Sequence, residues 1–351
     1  MESKKRLDVL IKKSRADLYK PIAVAEILYR HRTEFLDVSS INSYRRKSYE
    51  WMREVIWKLH RKTTSLNSRY WDQLFDKEVL PPEQIEELAN FNSKNKGVIE
   101  VYIYDHVQEK YRAFSELRAT LKQLPLDTFS LDTFLVFFEN NAKFRGSIDK
   151  AYEISVYALF NSVVEELQAT VTLSVSKTKK TFIQEFEGFT RLVLGIDSNL
   201  LSIEKPARLF RVGTANANDA GLDMWANFGP AVQVKHLSLN PQDAVDICNA
   251  VRADQVIVVC KTCDAEPIQH LFEQLGLDEK LRGIITKSDL KRWYEKCFRS
   301  QYRETLGRKT ILSIVEEMKL EFPLAISESF ELFYNERNYH SDILKGDWTL
   351  Q

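Results

Sequence analysis

The chain lacks any run of the roughly eighteen apolar residues that a membrane-spanning helix needs, so no such span is expected. Its opening residues, Met1-Glu-Ser-Lys-Lys-Arg6, have no apolar stretch of the secretory-leader kind, and a cytoplasmic protein follows as the expectation. Net charge is absent too, since 50 Lys and Arg balance 50 Asp and Glu. A general basic coat for polyanions is thereby excluded. No internal repeat and no low-complexity linker interrupts the chain, which argues against solenoids and disordered spacers. What remains is ordinary globular composition, 44% hydrophobic and 28% charged, over 351 residues. That length predicts two domains, or one domain with a large elaboration.

Cysteine is sparse: Cys248, Cys260, Cys263 and Cys297. Cys260-Lys-Thr-Cys263 has the spacing of half a zinc site, but no second close pair follows it. Because Cys260 ends the apolar run Val256-Ile-Val-Val259, it reads better as a small buried hydrophobe. The six histidines show no ligand spacing. His236 falls on the opposite strand face from Lys235, which suits packing.

Charge is unevenly spread. Residues 1–70 carry 17 basic against 8 acidic residues, and residues 288–309 carry 7 against 3. Basic blocks on a neutral chain suit a polyanion bound at a defined place, although such runs also form solvated helix faces.

The first 146 residues read as mainly helical. Pro21 opens a helix whose buried stripe is Ile22, Ala25, Ile27 and Leu28, with Val24 beside it. Ser43 is placed as the cap of a second helix with Trp51, Val55, Ile56 and Leu59 inward and Arg45, Arg46, Lys47, Arg53, Arg61 and Lys62 outward. Pro81-Pro82-Glu83 opens a third, and Gly97–Tyr104 alternates as a strand. A basic helix among short ones is a candidate reader of DNA. Residues 147–300 change to a mixed α/β pattern: a helix at 148–167, a strand at 169–175, a helix at 178–194, the loop Thr214–Asp219, a hairpin, a helix at 241–251 and the strand 255–260. A further helix (266–276) and strand (283–286) extend the sheet. The crossover between the hairpin's second arm and the 255–260 strand is short and helical, so those two strands should run parallel. Residues 301–351 read as a C-terminal helical extension.

The hairpin is Gly221-Leu-Asp-Met-Trp-Ala-Asn-Phe-Gly-Pro-Ala-Val-Gln-Val-Lys-His-Leu-Ser-Leu239, with its turn at Gly229-Pro230. In the second arm Val232 and Val234 point one way, Gln233 and Lys235 the other. Folding brings Asp223 beside that polar pair. A carboxylate, an amide oxygen and an ammonium on one face can hold a divalent cation and a water against a phosphodiester, the outline of a nuclease site. The bland alternative is an amphipathic hairpin with solvated polar residues. These letters recur by composition about once per chain of this length, so the context of strand, turn and strand carries the reading.

This order, with those residues, resembles the PD-(D/E)XK nuclease superfamily, in which helices flank a mixed sheet. Three segments are similar to the HaeII family of type II restriction endonucleases: Tyr19-Lys-Pro-Ile-Ala-Val-Ala-Glu-Ile-Leu28, Ile148-Asp-Lys-Ala-Tyr-Glu-Ile154 and Ala217–Leu237. Gln233 stands where the superfamily has Glu or Asp, and Leu222-Asp223 replaces Pro-Asp; one ligand charge is missing, which leaves the number of metal ions open. The resemblance implies an α/β core behind a helical N-terminal DNA-recognition region. It implies Mg²⁺ bound by the Asp223 carboxylate, the Gln233 oxygen and the Val234 carbonyl, with Lys235 orienting the attacking water and Glu153 as a further carboxylate ahead of Glu165 and Glu166. It further implies double-stranded DNA cut at a short palindrome with a GCGC core, 5′-phosphate and 3′-hydroxyl products, a homodimer, and a cognate methyltransferase acting at the same site. Candidate DNA contacts are Arg45, Arg46, Lys47, Asn216, Asn218, Lys291 and Arg292. From the residues alone, a repair or junction nuclease of this fold and a non-catalytic DNA-binding protein remain as alternatives; discrete bands from a long duplex would separate the first, and absence of metal-dependent cleavage the second. A half-buried Lys235 kept without function would speak against the second.

Overall fold

The computed structural model describes residues 2–14, 17–60, 71–141, 144–212, 222–277, 279–323 and 327–339. They fall into two compact units, one within residues 1–154 and 314–351, the other within 155–212 and 219–313. Residues 301–351 therefore divide between the units.

The first unit is helical: α1 Glu2–Lys13, α2 Tyr19–Glu34, α3 Ile41–Tyr44, α4 Lys47–His60, α5 Pro82–Lys94, α6 Val98–Gln123 and α7 Leu131–Asn140. Helix α8, Ile148–Glu166, begins in this unit and runs into the second. α2 is central, packed against α4, α5 and α6. Pro21 to Leu28 are all buried, because Pro-Ile-Ala-Val-Ala-Glu-Ile-Leu is apolar around the whole helix apart from Glu26. Full burial of a side chain such as Ile27 contributes about 1.5–3 kcal/mol.

Glu26 is accommodated by pairing. Its carboxylate takes a bidentate bond from Arg337 Nη1 and Nη2 (2.5 and 2.9 Å) and another from Tyr104 Oη (2.5 Å). The second buried acid, Glu100, accepts from Arg32 Nε and Nη2 (2.9 and 2.8 Å), Asn92 Nδ2 and Tyr339 Oη (both 2.6 Å). Arg337 and Tyr339, which follow the helix Ser327–Glu336, thus pin the late part of the chain onto its beginning.

Two expectations for this unit need correction. Residues 97–104 are not a strand but the start of α6, where Val98, Ile99, Val101, Ile103 and Tyr104 are all buried. Burial around the helix erases the 3.6-residue period, leaving a β-branched alternation that imitates a strand. Ser43 does not cap α4: it lies inside α3, its hydroxyl donating to the carbonyls of Ser40 (2.8 Å) and Asp37.

Lys110 of α6 is buried, its Nζ donating to the Ser14 carbonyl at 2.9 Å. Desolvation lowers it to about 8, against the pull of Asp17. Between that value and the ordinary lysine range, the unfolded chain holds a proton that the folded one has released, so this group makes stability rise with pH there; below 8 the cost of burying the charge is fully present. Lys110→Met is expected to stabilise the protein at pH 7 by about 2 kcal/mol, after about 1 for the lost hydrogen bond. Its advantage should shrink by pH 10, measured as urea unfolding of both proteins at both pH values.

The second unit continues with β1 Thr170–Ser174, α9 Lys180–Glu185, β2 Ser202–Pro206, β3 Leu209–Arg211, β4 Met224–Ala226, β5 Ala231–Val234, α10 Pro241–Ala250, β6 Val256–Cys260, α11 Ala265–Leu275, β7 Leu281–Thr286 and α12 Lys287–Arg299. The main sheet has the order β3-β4-β5-β6-β7, antiparallel through β5 and parallel from β5 to β7. The parallel crossover through α10 is as expected. One core strand differs: residues 169–175 pair only with β2 in a separate two-stranded ribbon, and β3, three residues long, completes the main sheet instead. The helix expected over 178–194 is broken into short helical segments.

One sheet face buries Ala231, Val256, Val258 and Cys260 against α10 and α11. Beyond the other lie α8 and α12, joined by the Tyr294 hydroxyl donating to the Ser155 carbonyl at 2.8 Å. Cys260 is fully buried, its thiol pushed up to about 12 by desolvation first and by Cys263 second.

Candidate active site

Gly229 holds the hairpin together at φ +121°, a left-handed backbone that L side chains rarely adopt. The turn closes with the Gly229 amide donating to the Ala226 carbonyl and the Ala226 amide to the Pro230 carbonyl (3.1 and 3.0 Å). This sets Met224 opposite Val232. Asp223, one residue earlier, then shares a sheet face with Gln233, as the alternation requires.

Those two residues meet. Asp223 Oδ2 accepts from Gln233 Nε2 at 2.6 Å and from the Val234 amide at 2.7 Å. Its backbone carbonyl accepts from the Val212 amide at 2.8 Å. A carboxylate only accepts, so the Gln233 amide must turn its nitrogen toward Asp223 and its oxygen away. That oxygen, Oε1, is buried in a side chain 4% exposed and has no hydrogen-bond partner. Leaving it so costs about 1–3 kcal/mol.

Lys235 follows on the same strand face, its amide bonded to the Val259 carbonyl at 2.7 Å. Its side chain is exposed, so the desolvation argument against a non-catalytic hairpin does not apply. Gln233 and Lys235 line one cleft of about 430 Å³. Asp243 and Asp246 of α10 line it too. The residues alone did not single out these two acids, though Asn240-Pro241, a capped helix start just after Lys235, was the available signal. Asn240 Oδ1 accepts from the Asp243 amide at 2.8 Å. Two residues on from Asp223 and on the same sheet face, Trp225 stacks on Phe210, ring centroids 4.3 Å apart.

Glu153 belongs to the first unit, where it is buried and accepts from Lys150 Nζ at 2.6 Å. Glu165 accepts from Asn161 Nδ2 at 2.9 Å, and Glu166 pairs with Lys309 at 2.5 Å. Among the DNA-contact candidates, Arg45 is exposed but bound to Asp72 at 2.8 Å, a hydrogen bond that raises the guanidinium and lowers the acid. Arg46 and Lys47 are exposed, as are Lys291 and Arg292, the latter paired with Asp289. Asn216, Asn218, Arg61, Lys62 and the loop 214–219 lie outside the described residues.

Could these atoms hold a metal? Among the described residues no three His, Cys, Asp or Glu side chains form a ligand cluster. One carboxylate and an orphaned amide oxygen instead offer hard oxygen donors, which suit Mg²⁺, an ion that keeps waters and leans on substrate phosphates.

The comparisons define the class. The chain is 38% identical over 340 residues to "Type II restriction enzyme HaeII" of Haemophilus aegyptius, covering 96% of each sequence. It is 37% identical over 343 residues to "Type II restriction enzyme NgoBI" of Neisseria gonorrhoeae, covering 97% of each. Both relatives are named type II restriction enzymes, and the mixed sheet is compatible with a nuclease fold. A family model for the HaeII restriction endonuclease matches residues 3–339, and the chain belongs to that family. No solved structure matches. Membership answers the alternatives left open by the residues, a junction nuclease and a non-catalytic DNA binder. No described helix is long and apolar enough to cross a membrane.

Proposed function

We propose that this endonuclease hydrolyses double-stranded DNA with Mg²⁺ at a short palindrome, RGCGCY by family resemblance, leaving 5′-phosphate and 3′-hydroxyl ends. The observation that carries the reading is the Asp223 carboxylate held by two hydrogen bonds, one from the very Gln233 amide whose oxygen is left buried and without a partner. Asp223, the Val234 carbonyl and, once its amide rotates, Gln233 Oε1 would hold the ion; Glu153, paired with Lys150, is the further carboxylate that the family resemblance implies. When bound, the ion supplies a more acidic water and offsets phosphate charge. Lys235, exposed on the same face, orients the attacking water and stabilises charge on the phosphate oxygens. The Val234 amide fixes the Asp223 carboxylate before DNA arrives, which limits reorganisation in the transition state.

A palindrome is matched by a two-fold homodimer with one site per strand, and a cognate methyltransferase protects the same sequence. The helical first unit is the proposed recognition region, with the Asn216/Asn218 loop and the Lys291/Arg292 helix as further contacts. Digestion of a sequenced plasmid tests the whole: discrete bands at RGCGCY with Mg²⁺ and none with chelator support it, while random or metal-independent cutting refutes it.

Two further outcomes are expected. Gln233→Glu places an acceptor where a donor now faces Asp223. It should melt lower than the parent in chelator, recover more with Mg²⁺ or Mn²⁺, and keep part of the activity with an altered metal preference. An unchanged metal response in thermal melts would remove Gln233 from the ligand set. Neutralising Arg46 and Lys47 should flatten the plot of log affinity against log salt by up to about 2, near 0.9 for each phosphate no longer neutralised. Arg45, already engaged by Asp72, should matter less. Fluorescence anisotropy across a salt series reads this; an unchanged slope takes the region off the DNA backbone.

A further inference from the structure

Between Leu167 and Leu200 the chain leaves an unusual amount of apolar surface in water. Leu167, Leu173, Phe182, Phe186, Phe189, Leu192, Val193 and Leu200 are 41% to 87% exposed. Among the described residues, no other stretch of similar length holds so many exposed large hydrophobics. The spacing is telling: Phe182, Phe186, Phe189 and Val193 recur at helical intervals and form an outward stripe, Phe182 and Phe186 stacked at 4.6 Å. Ile183 and Thr190 form the buried stripe behind them. A helical run that is apolar outward as well as inward is built to be covered on both sides.

The ribbon at its base has the same character. β1 and β2 pair only with each other, most of their residues exposed. A two-stranded ribbon is marginal alone, and its outer backbone edges are templates for another strand.

We propose that this arm, residues 167–206, is the seam through which two copies of the chain associate. The inference rests on the two-fold reading given above and assigns that symmetry a surface. Charge decides what covers the arm. Arg191 is neutralised within it by Glu187 at 2.7 Å and lies 3.7 Å from Asp197. Over the stripe itself, residues 182–193, Glu185 and Glu187 outnumber Arg191, while Lys177, Lys179, Lys180 and Lys205 of the arm lie outside it. A DNA backbone finds no excess of positive charge there, whereas a copy of the same patch meets no repulsion. Area agrees. At on the order of 100 Å² for each half-exposed Phe or Leu, the eight side chains offer about 800 Å² per copy, the share that a standard stable interface takes from each partner. In a two-fold contact the same stripe lies on both copies, so the Phe182/Phe186 stack meets its own counterpart or a close neighbour.

Sedimentation velocity on the full-length protein tests this, comparing the parent with Phe186→Ser/Phe189→Ser/Leu192→Ser. The expected result is a dimeric parent at micromolar concentration and a monomeric variant with unchanged circular dichroism. Its dimer dissociation constant should rise by roughly a hundredfold or more, as truncating central interface side chains does. A natively folded variant that still dimerises overturns the arm but leaves the two-fold reading standing. A parent that stays monomeric with and without cognate duplex overturns both. Should the triple variant misfold, Leu192→Cys with a short bismaleimide decides. A covalent dimer on a denaturing gel, absent with the parent's own cysteines, supports the seam. No covalent dimer from a natively sedimenting Leu192→Cys protein counts against it.

Discussion

Asp223→Ala is expected to lose plasmid cleavage by at least about a thousandfold, several kcal/mol of transition-state stabilisation, while the protein still binds its DNA. The carboxylate is the meeting point of the site: the Gln233 side chain and the Val234 amide both donate to its Oδ2. Lys235→Ala should be nearly as inactive, roughly a hundredfold to a thousandfold down, as when a preorganised charge is removed from a developing oxyanion. The two variants differ in a second measurement. Asp223→Ala should lose the Mg²⁺-dependent rise in melting temperature, whereas Lys235→Ala should keep it. Because Lys235 is exposed, its removal leaves folding intact and makes the cleaner test. Full activity in either purified variant would falsify the site assignment.

The second large effect concerns stability. Glu26→Ala should cost about 3–5 kcal/mol, because it strands the Arg337 guanidinium in a buried position. Glu26 is the one acid bonded to Arg337 among the described residues: the guanidinium, its side chain 10% exposed, otherwise hydrogen-bonds Tyr339 and packs over Tyr29 and Phe333 at 3.9 and 4.4 Å. Replacing both partners in Glu26→Ala/Arg337→Met should cost clearly less than the two single changes added together. Urea unfolding of the four proteins in the cycle reads the coupling directly. Strict additivity would mean that the pair contributes nothing as a pair.

The hairpin was legible because each arm faces two environments. Val232 is buried on one face while Gln233 and Lys235 look into a cleft on the other, so the two-residue period survives in the letters. The parallel partner β6 was legible for another reason: a short helix between two apolar runs allows few connections. Residues 98–104 misled because a helix buried on every side has no polar stripe to mark its period. Strand β3, three residues long, is too short to show any period. The orphaned Gln233 oxygen could not be read at all, since it depends on which way an amide turns when a carboxylate ten positions away claims its nitrogen. Nor could the Glu26–Arg337 pair, separated by most of the sequence. The two acids of α10 fall between these cases: the helix was expected, but not that Asp243 and Asp246 line the cleft with Lys235.

The clamp between Glu26 and Arg337 also imposes an order on synthesis. Domains tend to fold as they leave the ribosome, N-terminal portion first. Here the earliest helices cannot finish, because the guanidinium that neutralises Glu26 is translated 311 residues later. The sheet carrying Asp223 and Lys235 emerges whole before the helices ahead of it acquire their final counter-ion. A nascent chain halted short of Arg337 would thus hold the proposed cutting residues while its helical half is unfinished, and should be a target for proteolysis.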